Sequence, residues 1–159
     1  MPKASANRYI AISPESLWEI MGKVDLRPVW DLSVNRFHRD GVGGGMADTR
    51  MHYRAPLIAG FFWEWEGEYV TYEPPQRTAV QMISGSRLRP FKRLAGSWIL
   101  TEENDGTRLE LIVHFESRLP FTAKLVARMI TRILEGSLVR LEQLSTGHEL
   151  DSFSTEPGS

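Results

Sequence analysis

Residues 61–69 have the sequence FFWEWEGEY, in which large aromatic rings alternate with carboxylates. Side chains of a β-strand point alternately to opposite faces, so a period of two predicts a strand with one buried face. The aromatic face carries Phe61, Trp63, Trp65, Gly67 and Tyr69, and the opposite face carries three glutamates. Unpaired carboxylates are rarely buried, so the acidic face is predicted to meet water and the aromatic face to meet the interior.

The bulk composition is typical of one globular domain. The chain has 159 residues, 42% hydrophobic and 25% charged, with a formal net charge of −1. A charge near zero gives no chain-wide attraction to nucleic acid, so no nucleic-acid partner is expected. The chain has no cysteine, which excludes disulfides and fits a reducing cytoplasm. No window approaches about 18 consecutive apolar residues, so neither a membrane-spanning segment nor integral membrane association is expected.

The chain is predicted to pass from one strand through two short helices into a meander of strands. The first strand is predicted at residues 7–12, a helix follows with Ser13 as its N-cap, and a second short helical piece spans 25–32. Period-two segments then fill residues 34–117, and their short connections predict six antiparallel strands. Asn104-Asp105-Gly106 suits a tight hairpin within this meander.

Residues 121–144 are predicted to form one long amphipathic helix. Its apolar residues recur at helical spacing: Leu125, Val126, Met129, Ile130, Ile133, Leu134, Leu138, Leu141 and Leu144. Gly147 is predicted to end the helix. Residues 1–6 are therefore assigned to an N-terminal extension, 7–147 to the domain and 148–159 to a disordered tail.

A twisted sheet of six or seven strands is curved, and one helix must cover its concave face. One helix cannot fill that concavity. The sequence therefore predicts an α+β fold in which a curved antiparallel sheet wraps around the C-terminal helix and encloses a hydrophobic cavity.

A set of short motifs adds a family resemblance to this pattern. The motifs, in order, are Pro14-Glu15-x-Leu17-Trp18, Trp30 about a dozen residues later, the glycine-rich DGVGGGM at 40–46, Pro74-Pro75 and Gly106-Thr107. Together they resemble the START/Bet v 1-like superfamily, and within it the polyketide cyclase/dehydrase and lipid-transport family, over roughly residues 7–147.

The resemblance implies a helix-grip fold and a polyketide cyclase or dehydratase of bacterial specialised metabolism that uses no cofactor. It also leaves open a carrier or sequestering protein for a hydrophobic small molecule or lipid, and a partner-binding module with a filled core.

Candidate ligand-binding residues follow from strand alternation and from the helical stripe. They are Trp30, Met51, Trp63, Trp65, Met82, Ser84, Trp98, Met129, Ile133 and Ser137. Flat rings stack on planar ligands, which favours a hydrophobic, polyketide-like substrate. Gly67 interrupts the aromatic stripe, which indicates either room for a ligand or a bulge. Gly136 costs its helix about 1 kcal/mol relative to alanine, which indicates either a tolerated defect or a close approach to a ligand or strand.

Cyclisation and dehydration require a positioned acid or base. The polar candidates on the predicted inner face are Tyr53 and Tyr69, with Asp31 beside Trp30 at the mouth of the cavity. The four histidines show no metal-ligand spacing, so no metal is expected.

The strand register around residue 52 decides which side chains are available as acid or base. Hydrophobicity favours Met51 and Tyr53 inside. A shift of one residue would instead turn His52 and the two flanking arginines inward, which makes His52 the alternative catalytic candidate.

The segment RLRPFKR at 87–93 places four cations, Arg87, Arg89, Lys92 and Arg93, near a hairpin tip. Such a cluster is either a solvated turn or a docking site for an acidic partner, since local charge steers association even when the net charge is small. A cyclase acting on a tethered chain would use it to bind an acidic carrier protein.

Overall fold

The computed structural model describes residues 1–40, 49–56, 61–87 and 89–155. The secondary-structure elements, in chain order, are β1 (Lys3–Ile10), α1 (Pro14–Met21), α2 (Arg27–Trp30), β2 (Arg36–Asp40), β3 (Arg50–Pro56), β4 (Phe62–Glu73), β5 (Arg77–Gly85), β6 (Phe91–Glu103), β7 (Gly106–Ser117) and α3 (Ala123–Thr155). The predicted glycine-rich turn falls on residues 41–46, which lie outside the described part of the chain.

The seven strands form one antiparallel sheet in the order β1-β7-β6-β5-β4-β3-β2. With α1 and α2 after the first strand and α3 at the end, this confirms the predicted α+β helix-grip architecture. β1 begins at Lys3 rather than at residue 7, and it pairs with β7 from His114 onward. The assignment of residues 1–6 to an extension missed this, although Ala4 and Ala6 continue the period of two and are buried.

The start of α1 follows its sequence signals. The backbone N–H of Ser16 donates to the Ser13 side-chain oxygen at 3.2 Å, as expected for an N-cap. Leu17, Ile20 and Met21 form the buried stripe of this helix.

Helix α3 packs mainly against β1, with Leu134, Leu138 and Leu141 buried in the shared core. The prediction that it ends at Gly147 is wrong, because the helix continues to Thr155. Glycine weakens a helix without forbidding it, and the next proline in the chain is Pro157. Residues 148–155, assigned from the sequence to a disordered tail, therefore belong to α3.

Gly136 marks a close approach within the fold. A Cβ built at this position would lie 2.6 Å from Cδ1 of Leu32, in the segment that follows α2. Ser137 receives a hydrogen bond from the backbone N–H of Leu32 at 2.9 Å. The glycine thus allows α3 to contact the chain between α2 and β2.

The register of β3 turns Met51 and Tyr53 to the concave, inner face, where both are buried. His52 consequently points to the outer face, where it pairs across the sheet with His38 of β2 and Glu66 of β4. The alternative in which His52 faces the interior is therefore wrong, and hydrophobic alternation decides the register as predicted.

Two irregularities in the pairing of β4 with β5 change which side chains face inward. Gly67 pairs with Met82 whereas Glu66 pairs with Ser84, so one additional residue of β5 is accommodated between them. Such a bulge inverts the alternation of side chains. Met82 therefore shares the inner face with Gly67, whereas Ser84 is exposed on the outer face and donates to Glu66 at 3.3 Å. The prediction that Ser84 lines the interior is wrong for this reason.

Gly67 does not leave room for a ligand. A Cβ at this position would lie 2.6 Å from Cγ1 of Val80 and 3.1 Å from Cζ3 of Trp65. The glycine instead lets these two side chains close over the strand beside the bulge.

We expect Gly67→Ala to lower the free energy of unfolding by about 1–3 kcal/mol, the usual cost of overpacking a core. Gly96, on the inner face of β6, is the matched control, because a Cβ there meets no atom within 4 Å. Gly96→Ala should leave stability unchanged or raise it by up to about 1 kcal/mol, since alanine costs less backbone entropy than glycine. Urea unfolding measures both, and equal effects of the two substitutions would contradict this account of the inner face.

Candidate functional site

The inner face of the sheet is open above the middle of β6. Gly96 lies between Val80 of β5 and Val113 of β7 in the pairing, and the space above it holds no atom within 4 Å of a built Cβ. Val113 and Trp98, beside it on the inner face, are only partly buried. The inner face is therefore unfilled directly above Gly96, and this space, flanked by Val80, Val113 and Trp98, is called the inner-face cleft.

One face of α3 becomes more exposed toward the beginning of the helix. Met129, Ile133 and Gly136 share that face, since residues three, four and seven apart lie together on a helix. Gly136 is covered by Leu32, Ile133 is half-buried, and Met129, predicted to line the cavity, is 54% exposed. The cover of this helix face thus ends toward the beginning of α3.

The aromatic rings of β3 and β4 pack against one another. Tyr53 and Trp65 stack with their centroids 3.9 Å apart and their planes 9° from parallel. Trp63 lies 6.2 Å from Trp65 and 5.8 Å from Phe91. Trp63 and Met51 are buried in this packing, whereas Trp65 keeps a partly exposed ring.

The inner face also contains a charge that sequence reasoning missed, the guanidinium of Arg27. Its central carbon lies 4.9–5.5 Å from four ring centroids, those of Phe37, Trp98, Trp30 and Tyr53. Such distances allow cation–π attraction, which is strongest where water is excluded. The side chain is 12% exposed. It opens α2 and stands four residues before Asp31, a spacing that favours an ion pair on a helix and was the available signal in the sequence.

Asp31 holds Arg27 in place. The Nε–H of Arg27 donates to Asp31 Oδ2 at 2.6 Å. The other oxygen of Asp31 accepts from the backbone N–H of Ser33 at 3.0 Å and from its hydroxyl at 2.5 Å. Asp31 was expected at the mouth of the cavity, but it is 6% exposed and both of its oxygens are engaged. A carboxylate held in this way positions the arginine rather than taking a proton from a ligand.

The charge of Arg27 is retained in the interior. Burial alone would lower the pKa of Arg27, but the Asp31 carboxylate and the neighbouring tyrosines reverse the effect and raise it. A guanidinium has five N–H donors, so donors remain beyond its bond to Asp31 among the described residues.

The two tyrosine candidates are both held in the neutral state. Burial raises the pKa of Tyr53 to about 12, although Arg27 acts in the opposite direction. Burial also raises the pKa of Tyr69, with Arg39 opposing it. Near neutral pH each hydroxyl is therefore a hydrogen-bond donor and a poor base.

His52 belongs to a separate network on the outer face. Its Nε2 lies 2.8 Å from Asp40 Oδ2 and its Nδ1 lies 3.2 Å from Glu66 Oε1. His38 lies 2.7 Å from the other oxygen of Asp40, and hydrogen bonds from His52 and His38 lower the pKa of that carboxyl. A shallow depression of about 400 Å³ lies here, and besides the charged and polar side chains it is bordered by Phe37, Tyr53 and Trp65.

The remaining predicted lining residues divide into two groups. Trp98, Met82 and Ile133 are partly buried, and Trp98 lies beside the open space on the same strand as Gly96. Trp30 is 1% exposed, and Ser137 donates to the carbonyl of Ile133 and accepts from Leu32, so both serve packing.

The basic hairpin between β5 and β6 is exposed, as its charge predicts. Arg87, Lys92 and Arg93 are exposed, and Arg93 lies 3.6 Å from Glu116. Arg89 is partly buried and donates to the carbonyl of Gly85 at 3.3 Å.

We expect Asp31→Asn to lower the free energy of unfolding by about 3–5 kcal/mol, because it leaves a buried guanidinium without its counter-charge. The double variant Arg27→Met/Asp31→Asn should be less destabilised than Asp31→Asn alone, since the uncompensated charge is gone. Urea unfolding at neutral pH measures both. A double variant as unstable as the single one would show that the packing of α2, and not the ion pair, carries the effect.

The raised pKa of Tyr53 predicts a loss of stability in alkali. The unfolded chain releases this proton near the ordinary value of 10.0, and the folded chain releases it near 12. Between these values the folded state binds more protons, so stability falls as the pH rises from 10 to 12. Tyr53→Phe should remove about 2–3 kcal/mol of that loss, as measured by unfolding at pH 9, 10 and 11.5. Parallel pH profiles for the two proteins would refute the burial of this hydroxyl.

Comparison with known proteins places the chain in a family. The chain matches the family described as polyketide cyclase / dehydrase and lipid transport over residues 1–146. No curated protein matches it in sequence. Of the described helices, none is both long and apolar enough to cross a membrane.

Several solved structures share the fold. The protein TTHA0849 from Thermus thermophilus is 25% identical, with a TM-score of 0.74 over 92% of this chain and 99% of that chain. A START superfamily protein from Mycobacterium smegmatis is 16% identical, with a TM-score of 0.75 over 92% and 99%. The di-domain ARO/CYC StfQ from the steffimycin biosynthetic pathway is 12% identical, with a TM-score of 0.75 over 92% of this chain and 51% of its own length. The chain belongs to the polyketide cyclase/dehydrase and lipid-transport family.

Proposed function

We propose that the protein binds a planar, hydrophobic, polyketide-type substrate in the inner-face cleft and promotes its cyclisation or dehydration without a cofactor. One observation carries the proposal, namely the charged guanidinium of Arg27 held among aromatic rings on the concave face. A purely apolar ligand would gain nothing from this charge. A substrate with flat carbon chains and carbonyl oxygens would use the rings and the cation together.

The chemistry follows from where negative charge develops. A carbon between two carbonyl groups loses a proton to water at the open side of the cleft, and the resulting enolate carries its charge on oxygen. Its carbon then bonds to a second carbonyl carbon, whose oxygen becomes an alkoxide and takes up a proton from water to give a hydroxyl group. Dehydration follows when the carbon between the carbonyl groups loses its remaining proton to water and the hydroxyl group leaves with a proton from water, so that one molecule of water is lost and a carbon–carbon double bond forms. Arg27 would stabilise the enolate and alkoxide oxygens, since a fixed cation in a dry site acts strongly on developing charge.

Tyr53 and the shape of the cleft would supply the rest. Its ring centroid lies 5.5 Å from the central carbon of Arg27, and its neutral hydroxyl would donate to the same substrate oxygen. Trp65 and Trp98 would hold the chain folded, so that the reacting carbons stay near one another. Tyr69 would be a second hydroxyl donor on the same face.

A carrier or sequestering protein for a hydrophobic small molecule or lipid is the second candidate. It is favoured by the engagement of Asp31, whose two oxygens are both bonded. Among the described inner-face residues, this leaves no free carboxylate to act as a base. Arg27 would then serve only to bind a polar group of the cargo.

Two further features belong to the proposal. A cytoplasmic location fits a chain without cysteine. Docking of an acidic carrier protein at Arg87, Arg89, Lys92 and Arg93 stays a prediction, supported by the exposure of three of these four cations.

Ligand binding and turnover test the proposal in two steps. Titration with an anthraquinone carboxylate should quench tryptophan fluorescence. Gly96→Leu should weaken binding at least ten-fold by filling the open space, whereas the matched Gly96→Ala should have little effect. Arg27→Lys keeps the charge but loses the planar fork, and it should weaken the carboxylate far more than the unsubstituted anthraquinone.

Turnover separates the enzyme from the carrier. Incubation with a linear poly-β-ketone thioester, followed by chromatography, should give one cyclised product faster than in buffer, and Arg27→Lys should slow this by ten-fold or more. Tight binding without any change in rate or product ratio would establish the carrier. If Gly96→Leu binds the ligand as tightly as the unaltered protein does, the open space above Gly96 is not the binding site.

A further inference from the structure

The connection between β7 and α3 exposes large apolar side chains that the fold does not use. Phe121 is fully exposed (104%) and Leu119 is 69% exposed. Leu125, one turn into α3, is 60% exposed. Single exposed apolar residues are ordinary, but neighbouring large ones on one surface mark an interaction site.

The conformation of Phe121 strengthens this interpretation. Its φ of 64° lies in the left-handed region, which is unfavourable for a bulky residue and suits glycine or asparagine. A fully exposed ring buries no apolar area in return. The stability of the isolated fold therefore does not account for phenylalanine at this position.

The protein holds this connection in a defined shape. Thr122 Oγ1 donates to the carbonyl of Leu119 at 2.7 Å and lies 3.0 Å from Ser117 Oγ. Arg118 donates to the carbonyl of Arg87 at 2.9 Å, which ties the connection to the basic hairpin. The exposed apolar side chains therefore lie on a connection whose backbone is fixed by hydrogen bonds.

The charges around these side chains have one sign. Residues 118–132 contain four cations, Arg118, Lys124, Arg128 and Arg132, and no acidic residue. All four are exposed. On α3 the cations recur every four residues, one position before the apolar positions 125 and 129, so a basic stripe runs beside an apolar one.

We propose that residues 118–129, the docking segment, bind peripherally to an anionic lipid surface. Basic side chains beside exposed aromatic and aliphatic ones are the signature of interfacial binding, in which anionic headgroups attract the cations and apolar groups enter the acyl boundary. A protruding ring such as Phe121 enters a deformable bilayer directly, whereas a protein partner would have to supply a matching pocket. The full chain, with a net charge of −1, has no general affinity for anions, so binding depends on this segment.

A single fluorescent label tests the docking. The chain has no cysteine, so Phe121→Cys provides one site for an apolar, environment-sensitive dye in place of the ring. With phosphatidylcholine vesicles containing about 30% phosphatidylglycerol, the emission should shift to the blue, and added salt should reverse the shift. Vesicles of phosphatidylcholine alone should give little change. Val70→Cys, at a 55% exposed position on the outer face of β4, is the matched control and should report no change.

Vesicle sedimentation with the unlabelled protein measures how much individual side chains contribute to vesicle binding. Phe121→Ser and Leu119→Ser should each lower the vesicle partition coefficient about ten-fold, because each removes a side chain that would be buried in lipid. Lys124→Gln and Arg128→Gln should each lower it about five-fold. Arg36→Gln, which removes an exposed cation of β2, should have no effect. All of these positions are exposed, and circular dichroism checks that each variant is folded.

Three results would overturn the proposal. They are absence of binding to anionic vesicles, binding that the Phe121 and Lys124 variants leave unchanged, and a label at residue 121 that responds to an acidic carrier protein but not to vesicles. The last result would assign the segment to a protein partner. None of these readouts involves the cleft or its chemistry, so the docking and the proposed function fail or stand separately.

Discussion

The structure depends on a mismatch of width between its sheet and its long helix. Seven strands spaced about 4.8 Å apart make a sheet about 29 Å wide, whereas a helix with its side chains is about 10 Å across. α3 therefore covers β1 and its neighbour β7 and cannot cover the rest. The concave face of the other strands must be closed by its own rings, by α1 and α2, or left open. The space above Gly96 is the part left open.

The Arg27–Asp31 pair is a consequence of this geometry. α2 has only four residues, too few to be stable alone, and it closes the interior by packing Trp30 against Trp98 with ring centroids 5.8 Å apart. Placing a guanidinium there has a large desolvation cost, which the Asp31 carboxylate and the surrounding rings offset. Replacing a buried ion pair by apolar residues is often neutral or stabilising. The stability of the fold therefore does not require the pair, which agrees with the ligand-binding role proposed for Arg27.

The sequence predicts the architecture well because most strands keep a period of two over most of their length and the connections between them are short. It predicts the inner register of Tyr53 from hydrophobic alternation alone. It fails for Ser84, since the bulge that inverts β5 lies where Gly67 of β4 contacts Val80 of β5, a contact between strands that alternation along one strand does not reveal. It also misses Arg27, because charged residues are assigned to the surface unless a buried partner is known. These failures share one cause, the dependence of burial on non-local packing.

The net charge of −1 conceals the fact that charges of opposite sign lie on different surfaces of the protein. The outer face of β4 carries Glu64, Glu66 and Glu68, whereas all the charged residues among 118–132 are cations. At physiological ionic strength charges further apart than about 8 Å are largely screened from one another, so a ligand or lipid surface responds to the nearest group and not to the total. A net charge of −1 argues against a general attraction of the whole chain to anions. It does not argue against anion binding by the docking segment. The same reasoning applies inside the sheet, where a ligand would respond first to the guanidinium of Arg27 among its aromatic neighbours.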